Sequence, residues 1–164
     1  SKENLIIFMP GLGGSKSHFT WLAKALISEG WPVVMLEHPG SDPKAVQSLL
    51  EGKTPPPGAE VLPGRISDLE AVLKAQREGK LSSSNYGVVL IGHSLGALTA
   101  FLASGATPKE GLQKRCNKSL EVLSLTNPSS LLQCQLSDIQ LSLTPPPSNL
   151  RAIIGFNSFG SYSI

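Results

Sequence analysis

The apolar residues of this chain form two kinds of pattern, short continuous runs and helix-spaced stripes. Continuous runs occupy residues 5–9, 33–36, 88–91 and 152–156. Runs of this length are typical of strands that are buried on both faces of a parallel sheet. The first stripe consists of Phe19, Leu22, Ala23, Leu26 and Ile27. This spacing predicts a helix that begins near Ser17 and ends at Gly30.

Three further segments have helical character. Residues 45–50 suggest a short helix, and residues 95–103 are almost entirely apolar. A longer helix is marked by the spacing of Ile66, Leu69, Val72 and Leu73. Strands that alternate with helices predict an α/β fold, here a partial parallel sheet of about four strands with helices on both faces. We interpret residues 1–164 as a single domain.

Residues 105–150 lose this periodicity and are rich in Ser, Asn, Gln and Pro. A loop of this length inside a compact domain is uncommon and is usually functional. We interpret the segment as a cap-like excursion that precedes the last strand and lies over the carboxyl edge of the sheet, beside Ser94. The alternative is a disordered insertion.

The run at residues 88–91 leads into Gly92-His93-Ser94-Leu95-Gly96, which fits the pattern G-x-S-x-G. In a strand-to-helix turn this motif raises a serine hydroxyl above the sheet edge as a nucleophile. The glycines are needed because a Cβ would crowd the turn. A strand before the motif and a helix after it favour Ser94 as a catalytic nucleophile over a serine that only caps the helix.

A glycine-rich loop follows the first predicted strand at residues 10–15. Pro10 and Ser15 stand where a phosphate-binding loop needs glycine, which argues against nucleotide binding. We interpret the loop as one side of an oxyanion hole, in which Gly11 and Gly13 let the backbone approach a ligand and the Leu12 N–H faces it.

The charge and composition of the chain limit the kinds of binding partner that we expect. The net charge is +2 and only 16% of the residues are charged, so we expect no nucleic-acid partner. No apolar run approaches the ~20 residues of a membrane span. His and Cys show no metal-ligand spacing, so we expect no metal and no other cofactor. Residues 1–4 carry no signal peptide and no initiator Met, so we expect the true start of the gene to lie outside this chain.

The chain has two cysteines, Cys116 and Cys134. We expect two free thiols, as in most intracellular proteins, which favours the cytoplasm. The alternative is one disulfide that pins the excursion, and this bond would require an oxidising compartment such as the periplasm.

Three segments together, residues 10–14, 36–42 and 92–96, resemble the α/β-hydrolase superfamily. More narrowly, they are similar to bacterial dienelactone-hydrolase-like esterases and platelet-activating-factor acetylhydrolases. Residues 127–129 and 131–134 resemble cyanobacterial members in particular. The resemblance implies that Ser94 is the nucleophile, that the N–H groups of Leu12 and Leu95 form the oxyanion hole, and that Gly11, Gly13, Gly92, His93 and Gly96 support these groups. The implied substrate is a small-molecule or lipid ester.

The chain departs from this family pattern in three places. Pro10 replaces a usual histidine, and Ser94 replaces the cysteine of true dienelactone hydrolases. In this fold the acid and the histidine follow the serine, yet the histidines here are His18, His38 and His93. Neither His38 nor Asp138 is assigned to the triad.

We therefore expect a fragment whose triad acid and histidine lie beyond Ile164. On its own it should hydrolyse esters weakly or not at all, because a serine without a base is a poor nucleophile. The alternative is a catalytically inactive hydrolase-like module that binds a partner or a lipid. The oligomeric state is not predicted.

Overall fold

The computed structural model of the chain describes residues 3–54, 58–81, 84–108, 110–111, 114, 116–117, 134, 145–158 and 162–163. Within them, one parallel sheet contains β1 (Asn4–Met9), β2 (Val33–Met35), β3 (Gly87–His93) and β5 (Leu150–Phe156). The spatial order is β2-β1-β3-β5. Because all neighbours are parallel, the carboxyl ends of these strands meet at one edge of the sheet.

Four α-helices follow the pattern of the sequence. They are α1 (Thr20–Ser28), α2 (Pro43–Leu50), α3 (Leu62–Arg77) and α4 (Leu95–Ala103). Single 3-10 turns precede α1 at Lys16–Phe19 and α3 at Ala59–Val61. Helix α3 begins a turn before its first predicted apolar position, because Pro63 favours the first turn of a helix.

The two central strands, β1 and β3, are largely buried on both faces. The predicted burial of residues 152–156 is wrong, because β5 is mostly exposed at the end of the strand order among the described residues. On one face, Leu5, Ile7, Val88 and Leu90 of the strands pack against Leu69 and Leu73 of α3 and Ala100 of α4. On the other face, Ile6, Phe8 and Ile91 contact Phe19, Leu22 and Leu26. A further cluster joins α3 to α4 through Leu62, Ile66, Leu95, Leu98 and Leu102. The predicted α/β fold, with a four-stranded parallel sheet and helices on both faces, is confirmed.

One short pairing was not predicted. Strands β4 (Thr107–Pro108) and β6 (Tyr162–Ser163) form an antiparallel ladder of two residues each. A strand this short shows no hydrophobic period, so the sequence pattern could not reveal it. Most of the predicted cap-like excursion at 105–150 lies outside the described residues, and its position beside Ser94 stays a prediction.

The expectation of free thiols is wrong. Cys116 and Cys134 form a disulfide that joins residues 18 apart in sequence, with Cα atoms 5.4 Å apart. This Cα separation is ordinary for a disulfide, and spacing along the chain alone cannot report such proximity. Among the helices of the described residues, none has the length and apolar character to cross a membrane.

Candidate active site

The turn from β3 to α4 holds Ser94 in an unusual backbone conformation, with φ 53° and ψ −117°. A positive φ is uncommon for a residue other than glycine. The Ser94 N–H donates to the carbonyl of Phe156 at 2.8 Å, which ties the turn to the end of β5. Its own carbonyl accepts from Ala97 and Leu98 and so starts the hydrogen bonds of α4. The half-buried Ser94 therefore lies at the N-terminus of a buried helix.

Gly92 and Gly96 allow this turn to be tight. A Cβ on Gly92 would fall on the backbone of Gly96. A Cβ on Gly96 would fall on the carbonyl oxygen of Met9 in β1. A Cβ on Gly92 would therefore crowd the turn, as the sequence predicts, whereas a Cβ on Gly96 would collide with the neighbouring strand β1.

The glycine-rich loop after β1 lies directly against Ser94. A Cβ on Gly11 would lie 3.1 Å from the Cβ of Ser94, so the two backbones are in near contact. Within the loop, the N–H of Gly13 donates to Ser41 at 2.8 Å, and the N–H of Gly14 donates to Gly11 at 3.1 Å. In the described part of the chain, the Leu12 N–H donates to no protein acceptor.

The Leu95 amide is the first N–H of α4. The first four N–H groups of a helix have no partner within the helix, and together with the helix dipole they favour negative charge. The loop that carries Leu12 contacts Ser94 through Gly11, and the Leu95 N–H follows Ser94 directly in the chain. Such an arrangement can stabilise negative charge that develops on a carbonyl oxygen attacked by the serine.

His93, the residue before Ser94, lies against the aromatic ring of Phe19, with ring centroids 5.6 Å apart. The His93 ring also contacts the glycine-rich loop, because a Cβ on Gly11 would lie 3.3 Å from His93 Nδ1. His18 is exposed on the 3-10 turn before α1 and accepts from the Ser15 N–H at 3.4 Å.

His38 follows β2 and is buried, with 1% of its surface exposed. Its Nδ1 lies 2.9 Å from Asp68 Oδ2 on α3, and among the described residues its Nε2 has no hydrogen-bond partner. Burial, reinforced by the charge of Arg65 and opposed by Asp68, lowers the pKa of His38 to about 4. At neutral pH the ring is therefore uncharged and donates its Nδ1 proton to the carboxylate. Strand β1 separates β2 from β3, so His38 is not a neighbour of Ser94 in the sheet.

Arg65 is one of the two buried polar residues of α3, the other being Gln76, and is 1% exposed. Its Nε donates to Thr99 Oγ1 at 3.0 Å, its Nη1 donates to Ser41 Oγ at 2.7 Å, and its Nη2 donates to the Pro10 carbonyl. Burial lowers the pKa of Arg65 to about 10, opposed by Asp68, so the guanidinium remains a cation at neutral pH.

Sequence reasoning did not single out Arg65 or the pairing of Asp68 with His38. The sequence does contain one indication that both Arg65 and Gln76 are buried. Arg65 lies four residues before Leu69 and Gln76 lies three residues after Leu73, so both fall on the buried face of α3. A polar residue in step with a buried stripe is itself expected to be buried and hydrogen-bonded. Which groups it bonds to depends on the tertiary fold.

Two clefts in the described structure lie away from Ser94. One of about 690 Å³ runs between α3 and residues 145–149, and one of about 510 Å³ lies between α2 and the 3-10 turn before α3. Ser94 lines neither of them. Among the residues that the structure describes, no group of three His, Cys, Asp or Glu side chains is placed to hold a metal ion.

The fold and the strained serine turn define an α/β protein of the hydrolase type. The sequence profile described as the Alpha/beta hydrolase family matches residues 6–158, and the chain belongs to this family. No curated protein matches the chain.

Proposed function

We propose that this protein is a serine-dependent carboxylic-ester hydrolase and that Ser94 is its nucleophile. The observation that carries the proposal is the backbone of Ser94, at φ 53° beside a loop whose Leu12 N–H has no protein acceptor in the described chain. Non-glycine residues persist in strained conformations mainly where the surroundings enforce them, and such positions cluster at active sites. Membership of the α/β hydrolase family supports the same assignment.

In the proposed reaction, Ser94 Oγ attacks the ester carbonyl carbon and its proton passes to a general base. The N–H groups of Leu12 and Leu95 stabilise the resulting oxyanion. The C–O bond to the alcohol breaks, and the alcohol leaves with a proton. Water then attacks the acyl-Ser94 carbonyl and releases the carboxylic acid. We expect small-molecule or lipid esters as substrates, as in dienelactone-hydrolase-like and platelet-activating-factor-acetylhydrolase-like esterases.

The general base is proposed to come from outside these 164 residues. No histidine follows Ser94 in the sequence, and the buried ring of His38 already donates to Asp68. The same observation supports a second candidate, a hydrolase-like module that binds esters or lipids without turnover. The Cys116–Cys134 disulfide supports an oxidising compartment for either candidate.

A fluorophosphonate probe tests the proposal, because it bonds covalently to serine and reacts much faster with an activated one. The probe should label Ser94 slowly in the 164-residue chain and at least ~100-fold faster in the polypeptide of the complete reading frame, where a base would contribute. Peptide mass spectrometry locates the adduct, and p-nitrophenyl butyrate hydrolysis measures turnover. Ser94→Ala is the control and should abolish both signals. Equal labelling of Ser94→Ala, or an adduct elsewhere, would rule out this nucleophile. Labelling of neither polypeptide would favour the binding module.

A further inference from the structure

Arg65 connects three separate parts of the chain around Ser94. Its three nitrogens donate to the Pro10 carbonyl, Ser41 Oγ and Thr99 Oγ1. These acceptors belong to the glycine-rich loop, the turn after β2 and helix α4. Every nitrogen of the buried guanidinium therefore has a partner on a different segment.

Two of these hydrogen bonds hold the loop that carries Leu12. The Pro10 carbonyl belongs to the peptide group that begins the glycine-rich loop, so its orientation fixes the path of the next residues. Ser41, which accepts from Arg65 through its hydroxyl, accepts from the Gly13 N–H through its carbonyl at 2.8 Å. Arg65 thus holds the loop on both sides of Leu12.

The third hydrogen bond holds helix α4, which begins at Leu95. Thr99 Oγ1 accepts from Arg65 and donates to the Leu95 carbonyl at 2.8 Å. Thr99 is fully buried one turn along α4, so this link fixes the rotation of the helix that begins after Ser94. One guanidinium therefore spans the two elements that carry the Leu12 and Leu95 N–H groups.

The cost of burying a charge argues for a role beyond stability. A buried ion loses its hydration, and well-packed apolar replacements of buried ionic groups are often as stable or more so. A buried arginine with three directed hydrogen bonds instead imposes one geometry on the groups that it contacts. We propose that Arg65 is a positioning residue that sets the distance and orientation between the two backbone donors of the oxyanion hole. This inference rests on the proposed function of Ser94.

Oxyanion stabilisation depends strongly on geometry. Donors must lie about 2.7–3.1 Å from the developing oxyanion, and loss of one donor typically lowers kcat by roughly 10²–10³-fold. Displacement of a catalytic group by about 1 Å can cost roughly 10²-fold. Release of the loop from Arg65 should therefore lower kcat while leaving ground-state binding of the ester largely unchanged.

The test uses ester hydrolysis by the polypeptide of the complete reading frame. Arg65→Met should lower kcat by about 100-fold and change KM by less than about threefold. Arg65→Lys keeps the cation but cannot reach three acceptors, and should lower kcat by about tenfold. Ser41→Ala removes only one contact and should also lower kcat, by about threefold to tenfold.

Gln76→Met is the matched control. Gln76 lies on the same helix, is also fully buried, and donates to the Tyr86 carbonyl at 3.2 Å near the start of β3, far from Ser94 along the strand. Its replacement should lower the free energy of unfolding but leave kcat within about twofold. A general loss of stability would affect both variants alike, whereas a positioning role affects kcat only at Arg65.

A spectroscopic readout reports on the donors directly. A trifluoromethyl ketone forms a hemiketal with the serine hydroxyl, and 19F NMR follows ionisation of the hemiketal hydroxyl. Well-placed N–H donors stabilise the oxyanion and lower the pKa of this hydroxyl. Arg65→Met should raise that pKa by at least about one unit, and Gln76→Met should leave it unchanged.

The outcomes separate this proposal from the one that it rests on. Full hydrolysis by Ser94→Ala overturns both. Loss of hydrolysis in Ser94→Ala, with kcat and the hemiketal pKa unchanged in Arg65→Met, overturns the positioning role alone. If Arg65→Met does not fold, unchanged kcat in Arg65→Lys and Ser41→Ala overturns it equally.

Discussion

Close contacts on both sides hold the backbone of Ser94 in its strained conformation. The Ser94 N–H bonds to the end of β5, and the adjacent Gly96 lies against the carbonyl of Met9. The turn is thus wedged between two strands of the sheet. These contacts hold the serine in a conformation that costs about 1–3 kcal/mol.

This packing predicts that alanine substitution at two helical glycines has opposite effects on stability. A Cβ at Gly96 would overlap the Met9 carbonyl, whereas a Cβ at Gly64 on α3 would meet no atom within 4 Å. Gly96→Ala should lower the free energy of unfolding by about 3 kcal/mol or more, because backbone atoms must move. Gly64→Ala should raise it by about 0.5–1 kcal/mol, since alanine favours the helix. Urea denaturation followed by circular dichroism measures both, and equal effects would contradict the wedged turn.

At the scale of single residues, the sequence predicted the positions that a local rule governs. The clash of a Gly92 Cβ with the Gly96 backbone arises within the five-residue motif, whereas the clash of a Gly96 Cβ with Met9 depends on the neighbouring strand β1. Arg65 and His38 could not be predicted in this way, because their partners lie on segments distant in sequence. The disulfide is another such case, since only the folded chain brings its two cysteines together.

At the scale of elements, hydrophobic periodicity was a reliable guide. Helix α4 has the predicted bounds, and β3 extends the predicted run by one residue before and two after. Boundaries differ where local chemistry decides them. Helix α2 begins two residues early because the Asp42 side chain accepts from the Ala45 N–H at 3.0 Å and Pro43 occupies the first turn.

The pair of His38 and Asp68 joins two elements, the turn after β2 and helix α3. Burial lowers the pKa of His38 to about 4 in the folded protein, below its value of about 6.5 in the unfolded chain. The unfolded state then binds the proton more readily. The resulting stabilisation is complete above pH 6.5 and is lost as pH falls from 6.5 to about 4.

His38→Asn should reduce this pH dependence, because asparagine can donate to Asp68 but does not ionise. Between pH 7 and pH 4.5 the wild-type protein should lose about 2–3 kcal/mol more free energy of unfolding than the variant. Urea titrations at several pH values measure the difference. His18→Asn, at an exposed position, is the control and should follow the wild-type curve. Parallel curves for wild type and His38→Asn would show that the buried ring does not resist protonation.

At the scale of the whole molecule, the parallel sheet determines where chemistry can occur. The glycine-rich loop and Ser94 follow directly after a strand, His38 follows β2 by three residues, and the parallel register brings all three to one edge. The order of strands then decides which of them meet. Strand β1 lies between β2 and β3, so the loop after β1 reaches Ser94 while His38 turns to α3. Periodicity predicts the strands, but their order requires the folded structure.

The disulfide affects the stability of the whole molecule by restricting one loop of the unfolded chain. It closes a loop between residues 18 apart in sequence, and Cys116 is 3% exposed. In the chain-entropy view, a loop of this size contributes about 3 kcal/mol to stability, because the cross-link restricts the unfolded ensemble. Dithiothreitol should therefore lower the free energy of unfolding by about 2–4 kcal/mol, as measured by urea denaturation.

The double variant with Cys116→Ser and Cys134→Ser separates the bond from other effects of the reductant. It should have the stability of the reduced wild-type protein and should not respond to dithiothreitol. Thiol titration in urea checks the bond itself, and two reactive thiols in protein purified without reductant would contradict it. Because the sequence predicts that the 105–150 excursion lies beside Ser94, reduction should also change the rate of phosphonylation at Ser94 by more than about twofold. A rate within about twofold of that of the oxidised protein would contradict a cap at the serine.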